Sequence, residues 1–367
     1  MKRILLAGGN SGGHIYPGLS LARSLVDLGI AEVLFLDHGT ALERKILDGC
    51  DLETLSPPWQ GVGSIRQALF RVIPAIGWLR EQRIDAVIAL GARPGVAVGI
   101  AASLSGKPLF LLEQNRVMGL ANQLLTRFAR KVFLSWSLDK ASRVMRSRSA
   151  ILGCPVRDSF VPSTPISAGI PELLIMGGSQ GAEAVNDSIL EAATHLSQPD
   201  AFRVHHICGP GKAQGIEDRW HRAGVAATVR CYLDDPAQAL IDSSLVLSRA
   251  GGSTVAEVCC VGRAAIYWPF RHHGDQHQVR NASHVAQNGG GLVVDKETPK
   301  QIAVLIESLI QDRSRLEQMS IRSRQLGRPA AAQRIAEMIG VHLGQRIGTS
   351  GTEDPDLFHR PQLEVTG

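Results

Sequence analysis

Short apolar runs alternate with helical patterns along most of the chain. In the first half the runs cover residues 4–7, 33–36, 86–90, 109–112 and 131–134. In the second they cover 173–176, 203–207, 228–232, 245–247, 264–267 and 291–294. Short apolar runs separated by helices predict parallel strands buried on both faces, an α/β fold of doubly wound type. Three helical patterns follow, at 299–311, 313–326 and 329–345. The two series part at Gly153-Cys154-Pro155-Val156-Arg157 and the Pro/Ser-rich stretch behind it. A chain of 367 residues exceeds the usual single core. We therefore expect an N-terminal domain over 1–155 and a C-terminal one over 156–328, with the helix at 329–345 packing back on the first. The polar stretch 348–367 has no periodicity and reads as a disordered tail.

The first strand of each series runs into a glycine-rich turn. One turn is Gly8-Gly9-Asn10-Ser11-Gly12-Gly13-His14; the other is Gly177-Gly178-Ser179-Gln180-Gly181-Ala182. Such turns let backbone N–H groups approach an anion at the positive end of a helix. Two of them suggest two Rossmann-like domains facing across a cleft, with a phosphate-bearing ligand between. Neither fits a nucleotide fingerprint: Asn10 occupies the second glycine of GxGxxG, and no GK[ST] is present. Asp37, ending the second strand, could hold an NAD ribose, so a dehydrogenase stands as a rival.

Residues 248–257, Ser-Arg-Ala-Gly-Gly-Ser-Thr-Val-Ala-Glu, form the denser constellation. Backbone N–H groups, the Ser253 and Thr254 hydroxyls, a helix dipole and Arg249 can converge there on a diphosphate. No acidic pair nearby calls for a metal. Glu257 has two readings: Thr254-x-x-Glu257 spells a capping box, and the carboxylate could hold ribose hydroxyls. Residues 269–281 are dense in hydrogen-bonding side chains at a strand's carboxyl end, which suits a sugar. The spacing of His272, His273 and His277 matches no zinc signature.

Composition is that of a folded globular protein, 44% hydrophobic and 20% charged. No run of about 18 uncharged apolar residues exists to span a membrane. Six cysteines without CxxC spacing argue against a disulfide framework and for a reducing, cytosolic location. The net charge of +5 gathers at Arg143, Arg146 and Arg148 and again over 313–328. These are solvated helix faces or a surface for anionic lipid or a pyrophosphate. No aromatic-interleaved basic strand points to nucleic acid. Ile65, Leu69, Val72, Ile73, Ile76 and Leu79 recur at helical spacing among Arg66, Arg71, Arg80 and Arg83. That is a core-facing helix interrupted at Pro74, or an amphipathic contact with a membrane surface.

Taken in order, six segments resemble the MurG family of N-acetylglucosaminyltransferases, GT-B enzymes of the GT28 type. They are Gly8 to Pro17, Glu113-Gln114-Asn115 with Gly119-Leu120-Ala121-Asn122, Pro155-Val156-Arg157, Gly177 to Ala182, Arg249 to Glu257, and Gln278 with Asn281-Ala282. The resemblance implies a cofactor-free, inverting transfer of GlcNAc from UDP-GlcNAc to the MurNAc C4 hydroxyl of lipid I, forming lipid II. A rival is another UDP-sugar transferase of the same fold with a different acceptor. It also implies a peripheral enzyme on an anionic membrane surface, at the cytoplasmic face of the inner membrane. By motif position, Leu233 would meet uracil and Glu257 the ribose. Ser179, Arg249, Gly252, Ser253 and Thr254 would serve the diphosphate, with Arg157 at the hinge, and Val255 and Ala256 would belong to the same substrate-binding segment. His277, Gln278 and Asn281 would face GlcNAc. Ser11, Gly12, Gly13 and Asn115 would meet the acceptor, with His14 and Glu113 as the catalytic pair. His14 is the proposed base, since a neutral imidazole near pH 7 can take the hydroxyl proton. The chain departs from the family at Leu112 (His), Cys154 (Asn), Arg93 (Tyr) and Gly95 (Ser).

Overall fold

A computed structural model describes residues 1–345 except 10, 51, 60–63, 140–141, 164–168, 178–182, 212, 272–273 and 275. The expected tail at 348–367 and the expected ligand contact of Ser179 thus lie outside the described residues. The first half runs β1 (Lys2–Ala7), α1 (Gly12–Asp27), β2 (Ala31–Leu36), α2 (Ala41–Leu47), β3 (Glu53–Leu55), α3 (Ile65–Phe70), α4 (Val72–Glu81), β4 (Ala86–Ala89), α5 (Gly95–Leu104), β5 (Leu109–Glu113), α6 (Leu120–Leu125), β6 (Lys131–Leu134), α7 (Arg143–Arg148) and β7 (Ser149–Ile151). The second runs β8 (Glu172–Met176), α8 (Glu183–Ala193), β9 (Arg203–Ile207), α9 (Ala213–Arg222), β10 (Ala226–Arg230), α10 (Pro236–Asp242), β11 (Leu245–Ser248), α11 (Gly252–Val261), β12 (Ala264–Tyr267), α12 (His277–Gln287), β13 (Gly291–Val293), α13 (Pro299–Gln311), α14 (Arg313–Leu326) and α15 (Ala331–His342).

All strands pair in parallel, in two sheets ordered β3-β2-β1-β4-β5-β6-β7 and β10-β9-β8-β11-β12-β13. The order in which successive strands are added reverses between β1 and β4 in one sheet and between β8 and β11 in the other, which is where such sheets open a crevice at their carboxyl ends. Alternation divides each sheet's side chains between two apolar layers. Leu5, Ala7, Val87 and Ala89 enter one core of the first sheet, while Ile4, Leu6, Ala86 and Ile88 enter the other.

The short edge strands β3 and β7 carry no apolar run and were not predicted, since Glu53 and Thr54 lie toward solvent. The strand expected at 228–232 lies at Ala226–Arg230, an edge strand in which Ala227 and Val229 form one half-buried row. The helix expected across 65–80 breaks at Arg71 rather than Pro74. Pro74 sits in the first turn of α4, where a missing N–H costs nothing. The helix expected at 329–345 is α15, Ala331–His342, and it packs back against the first half. Its Ile335, Ala336 and Ile339 join the core layer of Ile4, Leu6 and Leu21. Ile335→Ala should lower the unfolding free energy by about 2–4 kcal/mol, read by denaturant titration, through a cavity in the first sheet's layer.

Candidate active site

The geometry begins with glycines. Gly8 and Gly9 take φ of 107° and 138°, which L side chains rarely adopt. A Cβ on Gly8 would also collide with the Gly91 carbonyl. These turns bring the chain directly from β1 into α1, whose N-cap Ser11 makes no side-chain cap bond. Across the cleft α11 begins at N-cap Gly251, also without a side-chain cap. A Cβ on Gly13 would stand 3.5 Å from Ser253 Oγ, and one on Gly252 2.5 Å from the Gln114 carbonyl oxygen. Two helix N-termini therefore face each other at contact distance. Each carries N–H donors without an upstream helical acceptor and the positive end of its dipole. The Ser253 and Thr254 hydroxyls stand on that turn. Val255 and Ala256 do not share this role. Both side chains are in the core, and the Val255 N–H donates to the Gly251 carbonyl at 3.0 Å.

His14 stands on the first turn of α1. Its Nδ1 lies 2.9 Å from Ser11 Oγ, and a Cβ on Gly91 would meet its Cδ2 at 3.0 Å and Nε2 at 3.1 Å. Glycine at 91 leaves the ring its space. Burial, with His277 nearby, pulls the His14 pKa down to about 4, so the free imidazole is neutral near pH 7. With the proton on Nδ1 it donates to Ser11 Oγ, and Nε2 keeps its lone pair.

Glu113 has a different environment from the one expected of a catalytic partner. Its Oε1 accepts from the Asn115 N–H at 3.1 Å and Nδ2 at 3.3 Å. Its Oε2 accepts from the Gly119 N–H at 3.1 Å and Asn122 Nδ2 at 3.0 Å. Burial raises the carboxyl's pKa, and these four donors oppose that shift. The group holds the loop after β5 and has no open face for chemistry. Asn115 and Asn281 were expected on sugars; instead they join each other. Asn281 Nδ2 donates to Asn115 Oδ1 at 3.0 Å and to the Ala250 carbonyl at 3.1 Å, and Asn281 Oδ1 accepts from the Arg116 N–H at 3.0 Å. The buried Asn281 amide is thus occupied in tying α12 to the β5 loop.

On the second sheet, Arg249 Nη1 donates to the Trp268 carbonyl at 3.0 Å, and its guanidinium lies 5.5 Å from the Phe270 ring centroid. Gln278 Oε1 accepts from the Phe270 N–H at 2.9 Å. Both side chains are fixed against the loop after β12. Glu257 lies in the second turn of α11. With Gly251 as N-cap, Thr254 is inside the helix, so the capping-box reading fails. Burial pushes the Glu257 carboxyl up to about 7, while Arg157, 3.9 Å away, pulls the other way. Arg157 itself lies between the Tyr16 and Phe160 rings, at 5.1 and 4.9 Å. Leu233 is half-buried beside Val255, Val258 and Ala237 in one apolar layer. Asp37, the NAD-ribose candidate, turns its Oδ1 to the Gly39 N–H at 2.6 Å.

Several basic residues are structural. Arg148 Nη1 donates to the carbonyls of Thr126, Arg127 and Ala129. Arg324 and Arg328 bond nearby carbonyls, and Arg313 pairs with Glu317. By contrast, Leu69, Phe70 and Ile73 are 49%, 85% and 80% exposed, beside exposed Arg66 and Arg80. The inward face of the same two helices is Ala68, Val72, Ala75, Trp78 and Leu79. The expected apolar row is therefore split between core and solvent. Sequence reading passed over Gln114 and Arg116, which adjoin the matched Asn115 and whose roles depend on contacts with the second sheet.

Comparison with known proteins gives the same arrangement. The Glycosyltransferase family 28 N-terminal domain matches residues 4–134, and the family's C-terminal domain matches 172–335. The UDP-N-acetylglucosamine–N-acetylmuramyl-(pentapeptide) pyrophosphoryl-undecaprenol N-acetylglucosamine transferase of Syntrophotalea carbinolica is 36% identical, covering 94% of this chain and 99% of its own. The transferase of the same name from Xanthomonas euvesicatoria is 32% identical over 100% of this chain and 86% of its own. The crystal structure of Acinetobacter baumannii MurG superposes with a TM-score of 0.78 at 26% identity, covering 92% and 99% of the two chains. The calicheamicin glycosyltransferase CalG4 shares the fold at a TM-score of 0.64 and 16% identity, over 95% and 100% of the two chains. Matched in both halves and aligned nearly end to end with such transferases, this chain belongs to glycosyltransferase family 28.

Proposed function

We propose that the protein transfers GlcNAc from UDP-GlcNAc to the MurNAc C4 hydroxyl of lipid I, with inversion, giving lipid II and UDP. The observation that carries this reading is the pair of opposed helix N-termini, α1 and α11, with His14 on one and Ser253 on the other. Residues 156–328 act as the donor side and 1–155 as the acceptor side. Leu233 packs on uracil, and Glu257 accepts from the ribose hydroxyls. The N–H groups and hydroxyls of Gly252, Ser253 and Thr254, with Arg249, hold the diphosphate and stabilise UDP as it leaves. Arg157 adds positive charge at the hinge. His277 and Gln278 line the sugar, while Asn281 and Asn115 act through the tie between them.

His14 Nε2 takes the acceptor proton as the C4 oxygen attacks the anomeric carbon. A base held down at about 4 is weak, but a bound diphosphate between the helices favours the imidazolium and raises its basicity. Ser11, Gly12 and Gly13 receive the acceptor diphosphate. Glu113 is a positioning group for the Asn115 loop. The enzyme sits peripherally on an anionic membrane at its cytoplasmic face, with Leu69, Phe70 and Ile73 in the headgroup region and Arg66 and Arg80 on phosphates.

His14→Ala should lower kcat about 10²–10⁴-fold in a transfer assay with UDP-GlcNAc and lipid I, while UDP affinity by calorimetry stays unchanged. Near-normal turnover would remove His14 from the role. UDP affinity should rise as pH passes upward through about 7, because ionised Glu257 accepts both ribose hydroxyls. Glu257→Gln should bind more weakly and flatten that rise. Phe70→Ser/Ile73→Ser should lose most sedimentation with anionic vesicles and keep transfer to a short-chain, soluble lipid I analogue. Vesicle binding equal to wild type would place the membrane contact elsewhere.

A further inference from the structure

One face of α12 is held to the first sheet by a polar cluster that the transfer chemistry above does not use. Arg116, in the loop after β5, donates from Nη2 and Nε to Asp139 Oδ1 at 2.6 and 3.2 Å. Its Nη1 lies 2.6 Å from His284 Nδ1. Burial, then the neighbouring guanidinium, lowers the His284 pKa to about 4, while Asp139 pulls the other way. The neutral ring thus accepts the Arg116 proton. Asp139 Oδ2 reaches Arg280 at 3.1 Å, and the His284 ring packs edge-on against Trp136 at 5.2 Å. Arg280, Asn281 and His284 share one face of the helix, so α12 is gripped at three points. Two are ionic or imidazole contacts through Arg116 and Asp139; the third is the Arg116 main-chain N–H on Asn281.

We infer that the Arg116 side chain is a positioning residue for GlcNAc transfer, anchoring α12 so that its first turn stays in register with His14. The inference rests on the donor-site reading above. The guanidinium's bonds to Asp139 and His284 brace the residue whose main-chain N–H completes the Asn281 tie, and α12 carries both His277 and Gln278. Without that anchor the sugar-facing turn is free to shift, while the uracil, ribose and diphosphate contacts on β10–α10 and α11 remain. Loss should therefore fall on the sugar and on turnover, not on UDP. A displacement of about 1 Å at a reacting centre can cost about 10²-fold in rate.

The test uses the full-length enzyme. Wild type must first transfer GlcNAc from UDP-GlcNAc to lipid I; if it does not, the donor-site reading fails and the variants are moot. Given transfer, Arg116→Ala should lower kcat/KM for UDP-GlcNAc at least tenfold, with Kd for UDP within twofold of wild type. Arg116→Lys should recover part of the loss. Asp139→Asn should show the same split. The Arg116→Ala/Asp139→Asn pair should be no worse than the poorer single variant, since both break one cluster. Wild-type kinetics in Arg116→Ala would overturn the inference. So would an equal loss of UDP affinity, which marks a general folding defect, or fully additive losses in the pair.

Discussion

The structure depends on an unfavourable arrangement: two helices meet N-terminus to N-terminus across the cleft. Each end carries about half a positive charge and unpaired N–H donors. Left alone, such ends repel. They stay apposed because other contacts cross between the two halves, chiefly the Asn115–Asn281 amide pair, the Arg116–His284 contact and the Arg280–Asp139 ion pair, with Lys45 lying 4.3 Å over the Tyr232 ring. On the proposed reading, a diphosphate between the two ends turns that repulsion into binding energy. Burial accounts for both free-state ionisations: it keeps His14 neutral, with His277 adding to the effect, and it raises the Glu257 carboxyl to about 7 against the opposing pull of Arg157.

Close approach also explains the glycines. Gly8 has no room beyond the Gly91 carbonyl, Gly252 none beyond the Gln114 carbonyl, and Gly91 little beyond the His14 ring. Each marks a place where backbone, rather than side chain, forms the wall. On the proposed reading, the phosphate end of the cleft is built largely from main-chain donors whose positions the fold fixes.

Much of this was legible in the chain. Interior strands such as β1, β4, β5 and β11 each carry an unbroken run of buried apolar residues, and that run identified them within a residue or two. The edge strands β3 and β7 were not, because half of each is wet. The glycine turns and the Arg249–Glu257 constellation could be found from residue type alone. What could not be found was which polar groups face a ligand and which face one another. Glu113, Asn115 and Asn281 carry the right chemistry for a site, yet their partners come from residues up to 166 positions away. Likewise the amphipathic segment at 65–80 reads as one stripe in sequence. The break at Arg71 rotates Leu69, Phe70 and Ile73 outward while Val72 and Leu79 go in.

Product analysis with purified protein, lipid I and UDP-GlcNAc tests the transfer across the paired helix ends most directly. The expected product is lipid II carrying one β-linked GlcNAc on the MurNAc C4 oxygen, formed with one UDP per disaccharide. Free GlcNAc with lipid I unchanged, or an α-linked product, would contradict inverting transfer at this cleft.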